Sequence, residues 1–373
     1  MSTGLSQPGL IEQLRSARWF GGKSRTIRGL EIVDRVQWTP EDELALVNVA
    51  YEQATPELYV LANRFPDASV ARALLQQFDG ATLRTQAGGS LRFCPTHVLK
   101  DIAADQTEPV SALRGEQSNT SVRFGNALIL KLFRRVQFGP NPDVEIGRYL
   151  TEHTSFRGTP AVVGSLEYTS PDGRTASLAL LQRFEANRGD AWTTTLRRLD
   201  DVVAGADPSE SIDAMRRLAR TTGELHVALS HGTGDFAAEP IDKSDIEQWH
   251  TAIVDELDHA TEALRHRNIA VEHAELRKRA DGIASLEGSK KTRHHGDYHL
   301  GQVLERPDGE FVIIDFEGEP ARPLAQRREK RSPLRDVAGM LRSFDYARNT
   351  VIRGHASTDP SRVMDWYTAV REA

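Results

Sequence analysis

Apolar residues recur along this chain with two different periods, and the switch between them divides it. Between residues 9 and 18, Leu10, Ile11, Leu14 and Ala17 stand at helical spacing, which predicts a short amphipathic helix stopped at Gly21 and Gly22. Short apolar runs at 30–33, 44–49 and 58–61 then predict strands of a mostly antiparallel sheet. Residues 66–79 return to helical spacing, with Val70, Ala71, Leu74, Leu75 and Phe78 on one face. Residues 1–105 are read as one unit, a β-rich N-terminal cap.

The next unit, 106–183, reads as a small sheet lobe. Runs at 122–124 and 128–133 flank a turn at Gly125 and Asn126, and a polar loop from Gly115 to Ser121 precedes them. Asn141, Pro142 and Asp143 supply a capping side chain and a proline at the first helical position, so a helix starts there and continues to about His153. Strands follow near 161–168 and 176–182. Beyond Arg183 the period is helical over 215–229, 245–265, 274–286 and 333–344, and a last helix opens at Asp359, Pro360 and Ser361. One hairpin, 303–314, interrupts this third unit, 184–373, around the turn Pro307, Asp308, Gly309. The predicted class is α+β and bilobal, with cap, small lobe and helical lobe in chain order.

The hairpin carries the most specific chemistry. Asp297 stands just before its first strand and Asp315 just after its second, so closing it brings two carboxylates together. Gln302 lies five residues after Asp297, the spacing of the D-x-x-x-x-N loop of protein kinases, and Asp315-Phe316-Glu317 falls where those enzymes carry D-F-G. Phosphoryl transfer needs such a set: Asp297 to orient an acceptor hydroxyl and take its proton, Gln302 and Asp315 to hold magnesium on ATP phosphates. A lone aspartate beside a hairpin is usually a turn or cap residue; two with an amide at matched spacing are harder to read that way.

Lys131 ends the run Leu-Ile-Leu-Lys, comparable to V-A-I-K, and would bind ATP phosphates, with Glu145 on the next helix as its ion-pair partner. Ser118, Asn119, Thr120 and Ser121 would cradle phosphates through backbone N–H groups and hydroxyls. His295 and His299 have a spacing that binds zinc only on a helix, which Gly296 and the adjoining strand oppose. They are read as hydrogen-bonding the catalytic loop, and Asp336 as bracing it. His299, Glu317 and Glu319 join Asp297 as candidates for the acceptor side.

Composition narrows the partners. Of 373 residues, 39% are hydrophobic and 27% charged, as in soluble globular proteins. A formal net charge of −6 argues against a nucleic-acid partner, and the basic run Arg327, Arg328, Lys330, Arg331 is read as a solvated face. Cys94 is the single cysteine, which excludes an internal disulfide and fits a reducing compartment. No stretch reads as a signal peptide or bilayer span, so a cytoplasmic protein without a membrane partner is expected.

These stretches resemble a known family. HGDYHLGQVL and IIDFEGEPARPLAQRREKRSPLRDVAGMLRSFDYA are similar to bacterial maltokinases and the related glucosamine kinases, of the aminoglycoside phosphotransferase-like, eukaryotic-kinase-like superfamily. EQSNTSV, LILKLFRR and NPDVEIGRYL resemble that family's phosphate loop, lysine strand and following helix, and RWFGGKSRTIRGLEIVD its N-terminal cap. The resemblance implies a protein-kinase-like fold and the use of ATP with Mg2+. By it, Asp297 is the catalytic base, Gln302 and Asp315 bind magnesium, Lys131 binds ATP, and Gln182 to Phe184 form the hinge near adenine. A small-molecule sugar is the implied acceptor: maltose, giving maltose 1-phosphate, is expected first, with glucosamine, giving glucosamine 6-phosphate, as the alternative. Tyr298 stands where many stand-alone maltokinases have leucine. A kinase fold without catalysis is the competing class, and the intact Lys131, Asp297, Gln302 and Asp315 speak against it.

Overall fold

The structure, a computed structural model, describes residues 7–113, 119–354 and 360–372. Its first half contains α1 (Gln7–Ser16), β1 (Ile27–Gln37), β2 (Glu43–Tyr51), β3 (Glu57–Ala62), α2 (Ala68–Leu75), β4 (Thr82–Arg84), β5 (Ser90–Pro95) and β6 (Val110–Ala112). After these come β7 (Asn119–Phe124), β8 (Leu128–Phe133), β9 (Arg135–Val136), α3 (Pro142–His153), β10 (Val162–Thr169) and β11 (Thr175–Arg183). They build a four-stranded sheet ordered β1-β2-β3-β9 and a seven-stranded sheet ordered β4-β5-β10-β11-β8-β7-β6.

Strand β2 reads ELALVNVAY, a nearly continuous apolar run, because both its faces are covered. Leu44 and Leu46 enter the core shared with the seven-stranded sheet, while Ala45, Val47 and Val49 pack with Leu14 of α1 and Phe20. The cap therefore packs on two sides, around a small core of its own at Leu14 and Phe20 and around one shared with the larger sheet. Its β3 pairs with β9, which prolongs the β8 chain past Arg134, and β4 and β5 join the larger sheet through β10. Across the boundary expected near 105, each sheet supplies one wall of a shared apolar layer.

The second half contains α4 (Ala191–Val203), α5 (Ser209–Ser230), β12 (Glu239–Pro240), α6 (Lys243–Arg265), α7 (His273–Ala280) and β13 (Lys290–Lys291). The chain continues through β14 (Val303–Glu305), β15 (Phe311–Ile313), α8 (Leu324–Arg327), α9 (Leu334–Gly354) and α10 (Ser361–Glu372). Val303, Phe311 and Ile313 of the hairpin share a core with Leu218 and Leu225 of α5, Phe344 of α9 and Trp366 of α10. Gly309 takes φ +85° in the turn, a conformation that its lack of Cβ permits. Helix α4 escapes the periodicity reading: three successive threonines, Thr193 to Thr195, have poor helix propensity, yet Asp190 caps the Thr193 N–H at 2.7 Å and Leu199 and Val202 are buried.

The hairpin is fixed sideways by an ion pair. Glu305, 1% exposed, accepts two hydrogen bonds from Arg198 of α4, at 2.8 and 2.5 Å. Burial opposes the charge on Glu305, but Arg198 prevails and holds its carboxyl below the usual range. Glu305→Ala, which leaves Arg198 without its partner, should cost about 3–5 kcal/mol in urea unfolding. Arg198→Met with Glu305→Leu should cost much less; equal losses would show that the pair is not the source. Because the folded pKa is depressed, this contribution should be complete above about pH 4.3 and fade as pH falls through the lower folded value.

Candidate active site

Residues 294–302 form an irregular loop between β13 and β14, pinned from beneath by α9. Buried Asp336 accepts the N–H groups of His295 at 2.9 Å and Gly296 at 3.0 Å, and Nε2–H of His226 at 3.1 Å. Burial alone would raise its carboxyl, but these donors and the neighbouring imidazoles hold it far below the usual carboxylate range. His295 ties the loop to the other end of the hairpin: its Nδ1 accepts from the Asp297 N–H at 3.3 Å, and its Nε2–H donates to the Ile314 carbonyl at 2.9 Å. Nδ1 of His299 accepts from the Gly301 N–H at 3.0 Å. Burial depresses the His299 imidazole, while the charges of Asp297 and Asp315 both act to raise it, so the three groups share one neighbourhood. The bracing roles expected of Asp336 and the two histidines are those the hydrogen bonds give them. Tyr298 points away into the core, where its hydroxyl meets Thr222 at 2.7 Å.

Above this loop, Lys131 of β8 is the centre of a charged cluster. Its Nζ lies 2.5 Å from Asp315, 2.8 Å from Glu317 and 3.2 Å from Asp143. Burial disfavours the ammonium, but the three carboxylates outweigh it and raise its pKa well above the ordinary value. Asp315 is only partly exposed, which disfavours its charge, yet Lys131 and a hydrogen bond with the Gln302 side chain hold its carboxyl low. Asp315 adopts φ +68°, a left-handed conformation unusual for a residue with a Cβ, and it turns the carboxylate toward the lysine just after β15. Asp143 also accepts the Phe316 N–H at 2.9 Å, so one aspartate holds both the lysine and the turn.

Oxygens of Asp143, Asp315 and Glu317 lie within 4.8 Å of one another. Three carboxylates around one ammonium leave negative charge in excess, and an all-oxygen donor set suits a hard cation such as Mg2+. Asp315 is the expected magnesium residue in this set, with Gln302 beside it. A cavity of about 130 Å³ opens next to the cluster, lined by Asn119, Phe133, Gln137, Asn141, Glu317 and Arg327.

Several expected roles change. Glu145 does not meet Lys131; it pairs with Arg293 at 2.9 Å and Arg328 at 2.7 Å. Residues two apart on a helix point nearly opposite ways, so with Asp143 facing the lysine Glu145 faces the other lobe's arginines. Asn119, Thr120 and Ser121 belong to β7 rather than a loop, in register with Phe133, Leu132 and Lys131; Ser118 lies outside the described residues. Thr120 accepts from Arg134 at 2.8 Å, and Ser121 is buried opposite the lysine. Glu317 faces Lys131 and Asn119, and Glu319 is held by Arg322 at 2.5 Å and Arg335 at 3.3 Å. The basic run is not a solvated face: Arg328 bonds Glu145, Arg327 bonds the Glu317 carbonyl and Gln137, Lys330 pairs with Glu239, and Arg331 lies over Trp249. Gln182 lies in β11 opposite Ile129, and the Phe184 N–H donates to the Ala127 carbonyl at 2.8 Å. Asp143 is the residue that sequence reasoning missed; its carboxylate on the first turn of α3 was visible, but read only as part of the helix start.

The fold and this site define a bilobal, protein-kinase-like architecture with a lysine–carboxylate cleft above a braced aspartate loop. The maltokinase N-terminal cap domain family matches residues 14–90. A glucosamine kinase of Mycolicibacterium smegmatis is 28% identical over 238 residues, 61% of this chain and 57% of that protein. One of Streptacidiphilus jiangxiensis is 26% identical over 277 residues, 71% of this chain and 61% of that protein. The chain thus spans about three fifths of the length of these curated relatives. A solved glucosamine kinase superposes with TM-score 0.70 at 20% identity, covering 97% of this chain and 84% of that one. Another, in complex with glucosamine, ADP and inorganic phosphate, gives 0.67 at 21% identity, covering 92% and 80%. The chain is thus similar to the maltokinase cap family over residues 14–90 and to glucosamine kinases over the larger part of its length, and it shares the fold of the latter.

Lys131→Ala and Asp143→Ala should each weaken Mg-ATP binding, and the double variant should lose less than the sum of the two, because they share one ion pair. Glu145→Ala combined with Lys131→Ala should instead be additive in calorimetric titrations with ATP. Additivity in the Asp143 cycle would place that residue outside the lysine's function.

Proposed function

We propose that this chain transfers the γ-phosphoryl group of ATP to a hydroxyl of a small sugar. The observation that carries this reading is the junction at Ile314 and Asp315. There His295 links the Asp297 loop to the strand end, while Lys131 and Gln302 bond the next residue's carboxylate. Lys131 would neutralise phosphate oxygens, and Asp315, Gln302 and the adjoining carboxylates would hold magnesium, which when bound shields the phosphate charge. Asp297 would orient the acceptor hydroxyl and accept its proton as the new O–P bond forms and the bond to ADP breaks. Asp297→Ala should lower kcat by at least about a hundredfold while leaving ATP affinity within a few-fold. Near-normal turnover would remove Asp297 from the reaction.

Two acceptors have separate support. Glucosamine is named for the curated relatives, matched over 61 and 71% of this chain, and for a solved neighbour in complex with it. Maltose is supported by the cap match and by the surroundings of Glu319, whose charge Arg322 and Arg335 already compensate, with Arg342 adding to them. An ammonium would have to compete with those guanidiniums for the carboxylate. We place glucosamine first because the cap match covers only residues 14–90, which reverses the order expected from sequence. In a coupled assay of ADP release, glucosamine should support turnover and maltose little, and raising pH through the amine's pKa should weaken glucosamine binding. Maltose turnover without glucosamine turnover would reverse this order and keep the kinase reading. No sugar-dependent ADP release from a broad panel would remove it.

A further inference from the structure

Register and burial place one cation where the reaction described above has no use for it. On β7 and β8, Ser121 pairs with Lys131 and Arg123 with Ile129, so Arg123 and Ile129 lie on the lysine's face of the sheet. The intervening Val122, Leu128 and Leu130 enter the core of the opposite face. Ile129 is two residues from Lys131, about 7 Å along the strand toward the linker between the lobes. Phe184 begins that linker and is hydrogen-bonded to the β7–β8 turn through Ala127. The Arg123 guanidinium lies 3.9 Å from the Phe184 ring centroid. Its Nε donates to the Gly125 carbonyl at 2.6 Å and one Nη to Asn126, so its plane is fixed by two neutral acceptors and neither is a carboxylate. Leu304 of β14, in the helical lobe, is half-buried between two fully buried neighbours.

We propose that Arg123, stacked on Phe184, is the residue that makes this cleft discriminate for a purine base, separately from the phosphate-binding group at Lys131. This inference rests on the nucleotide reading above. A planar guanidinium held against an aromatic ring offers a π surface to a purine and keeps an N–H edge for the base's acceptor nitrogens. Ile129 and Leu304 supply apolar contact to the same ring system. The phosphates, one strand pair away, are held without help from this stack.

Calorimetric titrations of the full chain with Mg-ATP, Mg-CTP and magnesium tripolyphosphate separate the two subsites, because tripolyphosphate has no base. Wild-type protein should bind ATP more tightly than CTP or tripolyphosphate. Arg123→Ala should weaken ATP about tenfold and leave tripolyphosphate within about twofold. Arg123→Lys, which keeps the charge but not the plane, should resemble Arg123→Ala. Parallel loss of ATP and tripolyphosphate binding would overturn the proposal, since the residue would then support the fold or the phosphate site. ATP binding unchanged in Arg123→Ala, or restored in Arg123→Lys, would overturn it too. Wild-type protein that binds tripolyphosphate but shows no preference for ATP would overturn the base subsite alone; binding of neither would overturn the nucleotide reading itself.

Discussion

Lys131 carries an ammonium group into a site where little water reaches it, and three carboxylates from two lobes converge there. Removing a charge from water costs several kcal/mol, so such a lysine persists only with partners at hydrogen-bonding distance. Asp143 comes from the sheet-rich half, and Asp315 and Glu317 from the helical half, which makes the lysine a tie across the cleft. The left-handed turn at Asp315 and the bond from Phe316 to Asp143 follow from aiming those acids at one point.

The rest of the molecule holds the two halves in the register that this convergence requires. The strand bearing Lys131 continues through Arg134 into the cap sheet, so cap and lysine share a continuous backbone. Arg134 is itself buried, which lowers its pKa to about 10, and it reaches the Val60 carbonyl, Thr120 and the ring of Trp19. On the opposite side, Glu145 joins α3 to Arg293, four residues before Asp297, and to Arg328 after the acidic turn. Across the linker, Arg306 bonds Glu185 at 3.0 Å, and Glu305 exchanges backbone hydrogen bonds with Arg188 and Gly189. The cleft is thus closed by polar contacts between two separately packed cores.

Sequence alone determined the elements whose signals are local. The Pro307-Asp308-Gly309 turn, the Asn141-Pro142 helix start and the LILK strand are each set by a few adjacent residues, and each formed where its pattern lies. The meeting of Gln302 with Asp315 was legible because a hairpin converts a fixed sequence separation into a fixed distance. Tertiary structure decided which acid meets the lysine: Asp143 and Glu145 are both first-turn carboxylates, and only the orientation of α3 against β8 selects between them. It also decided that the cap shares a core with the sheet beside it, since an apolar run such as β2 announces burial but not what covers each face. The basic run at 327–331 was misread for the same reason: charge is visible in sequence, but its partners Glu239, far back in the same lobe, and Glu145, across the cleft, are set only by the tertiary fold.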